Sequence, residues 1–300
     1  MKKLEILFWG LAAAASLCVC SAPAMAQQQD PPLVVRQLKP DVYWTEGGNG
    51  GNTGIIIGKT GVVVVDAKGS ANSAKAVLAE IAKLTPKPVT HVILTHSDGD
   101  HVNGLAGFPL GLTIIAHAGN KKEQEAALAA GGNGAPPADH QPTMAVTKTH
   151  MTEMLDGVKV ELFHWAPAHT SGDLVVYLPE QKIVFGGDVF ATNRPDPRVH
   201  LEKNGSSEGI IATMKGVAVL DVDTIVPGHG GVQTKAFVQE RANRLEEKRK
   251  TIAAMVKQGK SLDEIRAAVG DAPPTTPPGA APAPAAPSFT ESVYIELTKK

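Results

Sequence analysis

One stretch constrains this chain more than any other. Thr95-His96-Ser97-Asp98-Gly99-Asp100-His101 follows directly on the apolar run Val92-Ile93-Leu94. The apolar run reads as a buried strand, and just beyond its end four potential metal ligands fall within the six residues 96 to 101. In an extended exit from a strand, residues 96 and 98 point the same way. Residues 100 and 101 turn away from them, so one short loop can serve two neighbouring metals. Zinc accepts nitrogen and oxygen donors at about 2.0–2.2 Å in such an arrangement.

Further candidates stand just outside other β-like runs. His169 lies in Ala166-Pro167-Ala168-His169-Thr170-Ser171-Gly172-Asp173, Asp188 follows Gly186-Gly187, and His229 sits in Pro227-Gly228-His229-Gly230. Ligands at strand ends beside glycine suit a site on the rim of a sheet, where backbone must approach closely. Thr170 and Ser171 read as loop hydrogen-bonders. His91, His117, His140, His150, His164 and His200, taken singly, read as structural histidines.

The strands expected are Leu33 to Gln37, Val42 to Thr45, Gly54 to Ile57, Val62 to Val65, Val89 to Leu94, Leu112 to Ala116, Val158 to Phe163, Leu174 to Leu178, Lys182 to Phe185 and Thr224 to Val226. Ser70 reads as the cap of a helix reaching about Leu84, with Ala74, Val77, Leu78 and Ile81 on its apolar face. A second helix is expected over Lys121 to Ala130, a loose loop over Gly131 to Pro142, and a charged helix over Lys235 to Val256. Ser261 caps a short helix ending near Gly270. Strands alternate with helices yet also follow one another directly, which points to an α/β sandwich rather than a regular doubly wound sheet. The glycine-rich Glu46 to Asn52 segment lacks the following Lys-Ser/Thr of a phosphate loop and reads as a mobile hairpin.

The chain divides on composition. Residues 1–26 combine Lys2 and Lys3, an apolar run from Ile6 through Val19, and Ala24-Met25-Ala26. This reads as a secretory signal cleaved after Ala26, giving a periplasmic or secreted protein; an uncleaved anchor is the alternative. Both cysteines, Cys18 and Cys20, lie inside that segment. The mature chain then has neither disulfides nor thiolate ligands, and any metal must be held by imidazole and carboxylate. Residues 27–232 form the expected catalytic domain, 233–270 a C-terminal helical extension, 271–288 a Pro/Ala-rich linker and 289–300 a tail able to dock back. The formal net charge is −1. No basic surplus argues for nucleic acid, no other stretch is apolar enough to suggest stable membrane insertion, and the partner expected is a small-molecule substrate.

Together these motifs resemble the metallo-β-lactamase superfamily over roughly Val34 to Gly230. The likeness rests on Asp66 ending a strand, the His-x-x-x-Asp-His loop, His169, Asp188 and His229. The resemblance implies a four-layer αββα sandwich with two metals at the sheet edges. By it, His96, Asp98 and His169 bind one metal, and Asp100, His101 and His229 the other. Asp188 bridges both, and Asp66 supports His96 from behind. Two Zn²⁺ per chain are expected, with iron or manganese as alternatives.

One residue departs from the family's His-x-His-x-Asp-His pattern: Asp98 replaces the second histidine. A carboxylate still ligates zinc, but the added negative charge makes the site less attractive to anions and suits harder metals. The implied activity is hydrolysis of a small ester or amide, such as a β-lactam or lactone, by a metal-bound hydroxide. Asp100 orients or deprotonates the water, and Asn193 and Arg194 line the site beneath a Gly47 to Asn52 lid. A di-iron redox protein and a non-catalytic periplasmic metal-binding accessory protein are the other classes open.

Overall fold

The structure, a computed structural model, describes residues 30–131, 135–271 and 287–299. The expected signal segment and nearly all of the Pro/Ala-rich linker lie outside the described residues.

The two halves of the chain each build one sheet. The first half runs β1 (Val34–Lys39), β2 (Val42–Glu46), β3 (Thr53–Ile57), β4 (Val62–Val65), α1 (Ala71–Leu84), β5 (Val89–Ile93), the single turn α2 (Gly99–Val102), β6 (Thr113–His117), α3 (Ala118–Ala129) and β7 (Met144–Val146). Its sheet keeps chain order from β1 to β7, antiparallel as far as β4 and parallel beyond it. The second half runs β8 (His150–Leu155), β9 (Val158–Phe163), β10 (Val175–Leu178), β11 (Ile183–Gly187), α4 (Ser207–Ala218), β12 (Thr224–Pro227), β13 (Gln233–Thr234), α5 (Lys235–Lys257), α6 (Leu262–Val269) and α7 (Phe289–Thr298). Here the strand order is β13-β12-β11-β10-β9-β8, with β11 and β12 parallel.

Three apolar clusters make this a four-layer αββα sandwich. The outer face of the first sheet buries Ile55, Val64, Val92 and Ile114 against Ala74, Val77 and Ile81 of α1. The facing sides of the two sheets bury Trp44, Val63, Ile93 and Ile115 against Leu162, Val176 and Phe185. The outer face of the second sheet buries Val175, Tyr177, Val184 and Ile225 against Ile210, Met214, Val238, Leu245, Ile265, Phe289 and Val293. Each strand buried on both faces reads as an unbroken apolar run, as Val62-Val63-Val64-Val65 does. Helix α1 starts where expected because the Ser70 side chain accepts from the Ser73 amide.

The C-terminal helical extension belongs to this architecture. Helices α5, α6 and α7 share their apolar cluster with β10, β11 and α4, so they complete the outer layer of the second sheet. The expected tail docks through Phe289 and Val293, both fully buried, and Ser207 donates to the Glu296 carboxylate.

Three corrections concern local structure. The 144–155 region, not foreseen, supplies β7 and β8, and residues 207–218, likewise not foreseen, form α4. The Glu46 to Asn52 segment is a hairpin connection, but it is stapled down rather than mobile. Gly51 N donates to Asp100 O at 2.9 Å, Asn52 N to Gly228 O at 2.6 Å, and buried Lys68 Nζ to Gly47 O at 2.9 Å and Gly51 O at 2.7 Å. Burial lowers the Lys68 pKa to about 8, opposed by the charge of Asp66. With these backbone groups committed, the segment packs against the His101 ring, and its residues are not among those lining the cavity.

Helix α5 fixes a second loop. Buried Arg241 donates to Ala191 O at 2.8 Å and to Pro195 O at 3.2 Å, while Arg244 and Lys248 hold Asp196 at 2.6 and 2.7 Å. Replacing Arg241 by Met leaves buried carbonyls without donors. We expect a loss of about 1–3 kcal/mol in urea unfolding; a change below about 0.5 kcal/mol, the level of a neutral surface substitution, would remove Arg241 from this role.

Candidate metal centre

The parallel strands of both sheets point their C-terminal ends at one crevice, the place where α/β architectures expose functional side chains. Val65 of β4 lies opposite Ile93 of β5, so Asp66 and Thr95 leave the first sheet side by side. From the second sheet, β11 delivers Asp188 and β12 delivers Gly228-His229.

Asp66 sits at φ 63°, a left-handed conformation that Asp tolerates better than most residues. There its Oδ1 accepts from Thr95 N at 2.8 Å, and its Oδ2 accepts from Thr95 Oγ1 at 2.7 Å and from His101 Nδ1 at 2.9 Å. Thr95 Oγ1 in turn accepts from His96 Nδ1 at 2.9 Å. Asp66 thus holds His101 directly, and the expected support of His96 runs through the Thr95 hydroxyl. With both Nδ1–H groups engaged, Nε2 of each ring presents its lone pair to the crevice. His169 is set likewise, its Nδ1 donating to Arg198 O at 2.9 Å.

All seven expected ligand residues meet there. They form three groups, His96 with Asp98 and His169, Asp100 with His101 and His229, and His96 with His101 and Asp188, the donor atoms in each lying within 4.8 Å of one another. His169 Nε2 stands 3.1 Å from Asp98 Oδ2, and His229 Nε2 2.9 Å from Asp100 Oδ2. Asp188 lies between, with Oδ1 3.3 Å from His101 Nε2, and Oδ2 3.6 Å from His229 Nε2 and 3.9 Å from His169 Nε2.

A divalent cation fits this donor set. His96 Nε2 and Asp188 Oδ1 are buried and make no hydrogen bond, a costly state unless an ion takes their lone pairs. Gly228 leaves the space: a Cβ there would stand 2.0 Å from Asp188 Oδ1. Electrostatics point the same way. Burial pushes the Asp98 and Asp188 carboxyls up, but the surrounding imidazoles hold both well below the ordinary range. Asp100, against the same burial penalty, falls to about 2 beside His229 and His101. His169 rises to about 9 beside Asp98 and Asp188 despite its burial, whereas burial and the charge of His101 push His96 well down. Three carboxyls held this low, close together, suit a divalent cation.

Some site residues were not legible as such. His200, grouped with the structural histidines, faces Asp98 across 2.9 Å, which corrects that grouping. Lys203 Nζ reaches Asp98 Oδ1 at 2.6 Å. The crevice opens into a cavity of about 290 Å³ lined by Asp98, Asp100, His169, Asp188, His229 and His200, with Asn193, Arg194 and Arg198 beside them. The expected lining by Asn193 and Arg194 is observed, and Arg198 adds to it. Arg194 and Arg198 put positive charge in the same lining as the three carboxylates, so the expected aversion to anions does not extend to the whole cavity. The other histidines do structural work: His91 contacts Asp156, His140 contacts Phe108 O, His150 stacks on Phe163, and His117 stacks on His164.

The family model of the metallo-beta-lactamase superfamily matches residues 47–229, and the chain belongs to that superfamily. It is 27% identical over 211 residues to the 2,4-dinitroanisole O-demethylase subunit alpha of Nocardioides sp. (strain JS1661), covering 70% of this chain and 61% of the relative. It is 25% identical over 195 residues to the metallo-beta-lactamase type 2 of Bacillus sp. (strain 170), covering 62% of this chain and 70% of that one. The solved stereoselective inverting sec-alkylsulfatase from Pseudomonas sp. superposes with a TM-score of 0.69 at 16% identity, over 89% of this chain and 50% of that one, a likeness of fold. The chain thus spans only part of some of these relatives.

The Asp66–Thr95–His96 relay carries a prediction. Thr95→Val strips His96 Nδ1–H of its acceptor, and metal affinity, read by chelator competition, should fall about 10- to 100-fold. Thr95→Ser should restore it. Unchanged affinity in the valine variant would show that the relay does not set the ring.

Proposed function

We propose that this chain is an exported binuclear metal-dependent hydrolase of a small ester or amide, with zinc as the first metal to test. The observation that carries the reading is the meeting of four imidazoles and three carboxylates at the strand ends, with His96 Nε2 and Asp188 Oδ1 left unpartnered. His96, Asp98 and His169 would hold one ion, Asp100, His101 and His229 the other, and Asp188 both. The export of the chain is supported by the composition of residues 1–26.

Bound there, the metals would acidify a water to a pKa near 7 and polarise the scissile bond. The protein's own groups divide the remaining tasks. Asp100 is the most open of the three carboxylates, its side chain 42% exposed, and is placed to orient the attacking water or take its proton. Asp188, half-buried between the two imidazole groups, fixes their spacing. Arg194 and Arg198 line the wall of the cavity and suit an anionic substituent on the substrate. A neighbouring cavity of about 460 Å³ shares Asn193 and Arg194 and adds Phe237, giving room for an apolar substituent. β-Lactams and lactones are the first substrates to test, with sulfate and phosphate esters beside them.

The test is elemental mass spectrometry on the purified protein, run with chromogenic β-lactam, lactone, sulfate and phosphate esters. We expect about two zinc ions per chain and hydrolysis that chelators abolish and zinc restores. Bound metal without turnover on any ester, lactone or lactam would favour the accessory protein. Iron with redox activity would favour the di-iron class.

A further inference from the structure

The cavity over the metal centre does not end there. Its wall of Asn193 and Arg194 is also a wall of the cavity of about 460 Å³, which continues past Pro195 to Phe237 in the first turn of α5. A third cavity, of about 410 Å³, shares Thr192 and Phe237 with the second and adds Val232. Through these shared walls the three form one groove leading away from the strand ends. Its two outer parts are each of the size that small-molecule sites occupy.

The groove is tied to the metal centre by backbone. Thr192, which lines both outer cavities, donates its N–H to His229 O at 2.9 Å. Gly230 permits that close approach: it stands at φ 88°, and a Cβ there would meet Thr192 Oγ1 at 2.0 Å. Arg241 and Arg244 also border the groove, but they donate to Ala191 O at 2.8 Å and to Asp196 Oδ1 at 2.6 Å. Their donors are committed to the loop they hold.

The chemistry of the groove changes along its length. At the metal end, Arg198 has a buried Nε that makes no hydrogen bond, and its Nη2 stays 3.8 Å from Glu202 Oε1. A guanidinium nitrogen left this way is costly, and an oxygen of an anionic ligand would fill it. Arg194 is exposed at the junction of the first two cavities. At the far end stand Phe237 and Val232, 46% and 44% exposed and outside the three apolar clusters of the fold. Neither side chain serves the core, and both line the groove. Glu240 borders the middle stretch, where its charge repels a second anion.

We propose that this groove selects an amphiphilic monoanion. The anionic group sits on Arg198 and Arg194 beside the metals, and an extended apolar chain runs past Thr192 to Phe237 and Val232. This rests on the hydrolase reading given above and names the kind of ester or amide it takes, one with a single negative charge near the scissile bond and a long apolar chain. Phe237 is the residue that reads the chain.

The experiment is isothermal titration calorimetry of the zinc-loaded full chain with butanoate, hexanoate, octanoate and decanoate. Each added CH₂ group should tighten binding about two- to fourfold until the groove is filled. Phe237→Ser, a change at an exposed position, should flatten that dependence, and Val232→Ser should flatten it for the longest chains alone. Arg198→Met should weaken every carboxylate about tenfold while keeping the increment per CH₂ group, and the uncharged alcohols hexanol and octanol should bind about tenfold more weakly than their carboxylates. Equal affinity across the carboxylates would overturn the proposal, and so would a wild-type increment in Phe237→Ser. Carboxylates indifferent to Arg198→Met, or alcohols that bind as tightly, would overturn it too, because the arginines would then hold no anion. Protein that holds metal and hydrolyses short esters without any dependence on chain length defeats this proposal alone. Protein that binds no metal and hydrolyses no ester brings down the hydrolase reading and this proposal together.

Discussion

A buried carboxylate must have its oxygens filled with donors, and Asp66 is the point where this protein meets that demand. Its two oxygens collect the Thr95 amide, the Thr95 hydroxyl and the His101 ring. Those three bonds lock β4 to the loop after β5 and fix two imidazoles in one tautomer. They also explain the left-handed backbone at Asp66, since only there do both oxygens turn back toward residue 95. The strain at φ 63° is modest for Asp and is offset by three hydrogen bonds. Every further feature of the crevice is built outward from this fixed pair of rings.

The second sheet is brought to that anchor by backbone rather than side chains. Leu174 N donates to Thr95 O at 2.7 Å, and Asn52 N donates to Gly228 O at 2.6 Å. Each bond joins an element of one half of the chain to the other half across the crevice. The halves are then held in register at the place where ligands from both must share ions, so that sub-ångström placement does not depend on loops alone. Helix α5 acts on the far side in the same sense. Its Arg241, Arg244 and Lys248 take up the carbonyls and carboxylate of residues 190–196, the stretch that carries Asn193 and Arg194 to the cavity. A charged, weakly amphipathic helix at the C-terminus is thus part of what shapes the site.

Much of this was legible in the chain because the signals are local. Val62 to Val65 is an uninterrupted apolar run, Ser70 caps α1, and His96 through His101 lie within one loop. Where the sequence failed as a guide, the deciding contacts were distant. Strand β8 alternates exposed and half-buried residues at the rim of its sheet, and carries Met154 outward, so its pattern differs from that of a core strand. Helix α4 contains Gly209 and Gly216, which dilute the helical signal, and its place is secured by tertiary burial of Ile210, Met214 and Val217. Lys203 and Asp98 are 105 residues apart in sequence, and nothing near either announces the other. A lone histidine such as His200 carries no local mark that separates a residue lining the site from one in the core.

The replacement at position 98 shows why a motif must be read with the loops that face it. Taken alone, a carboxylate there adds negative charge beside Asp100 and Asp188 and argues for a harder metal and a weaker Lewis acid. Within the fold, that charge is met by Lys203 at 2.6 Å, and Oδ2 is ringed by three imidazole nitrogens. One of the three carboxylates is thereby neutralised, so the replacement does not by itself carry the site toward harder metals. The inference from position 98 alone fails because the interaction strength depends on net charge at close range, not on the identity of one ligand. Lysine at 203 should therefore vary together with position 98 across the superfamily: where histidine stands at 98, an ammonium at 203 has no charge to meet.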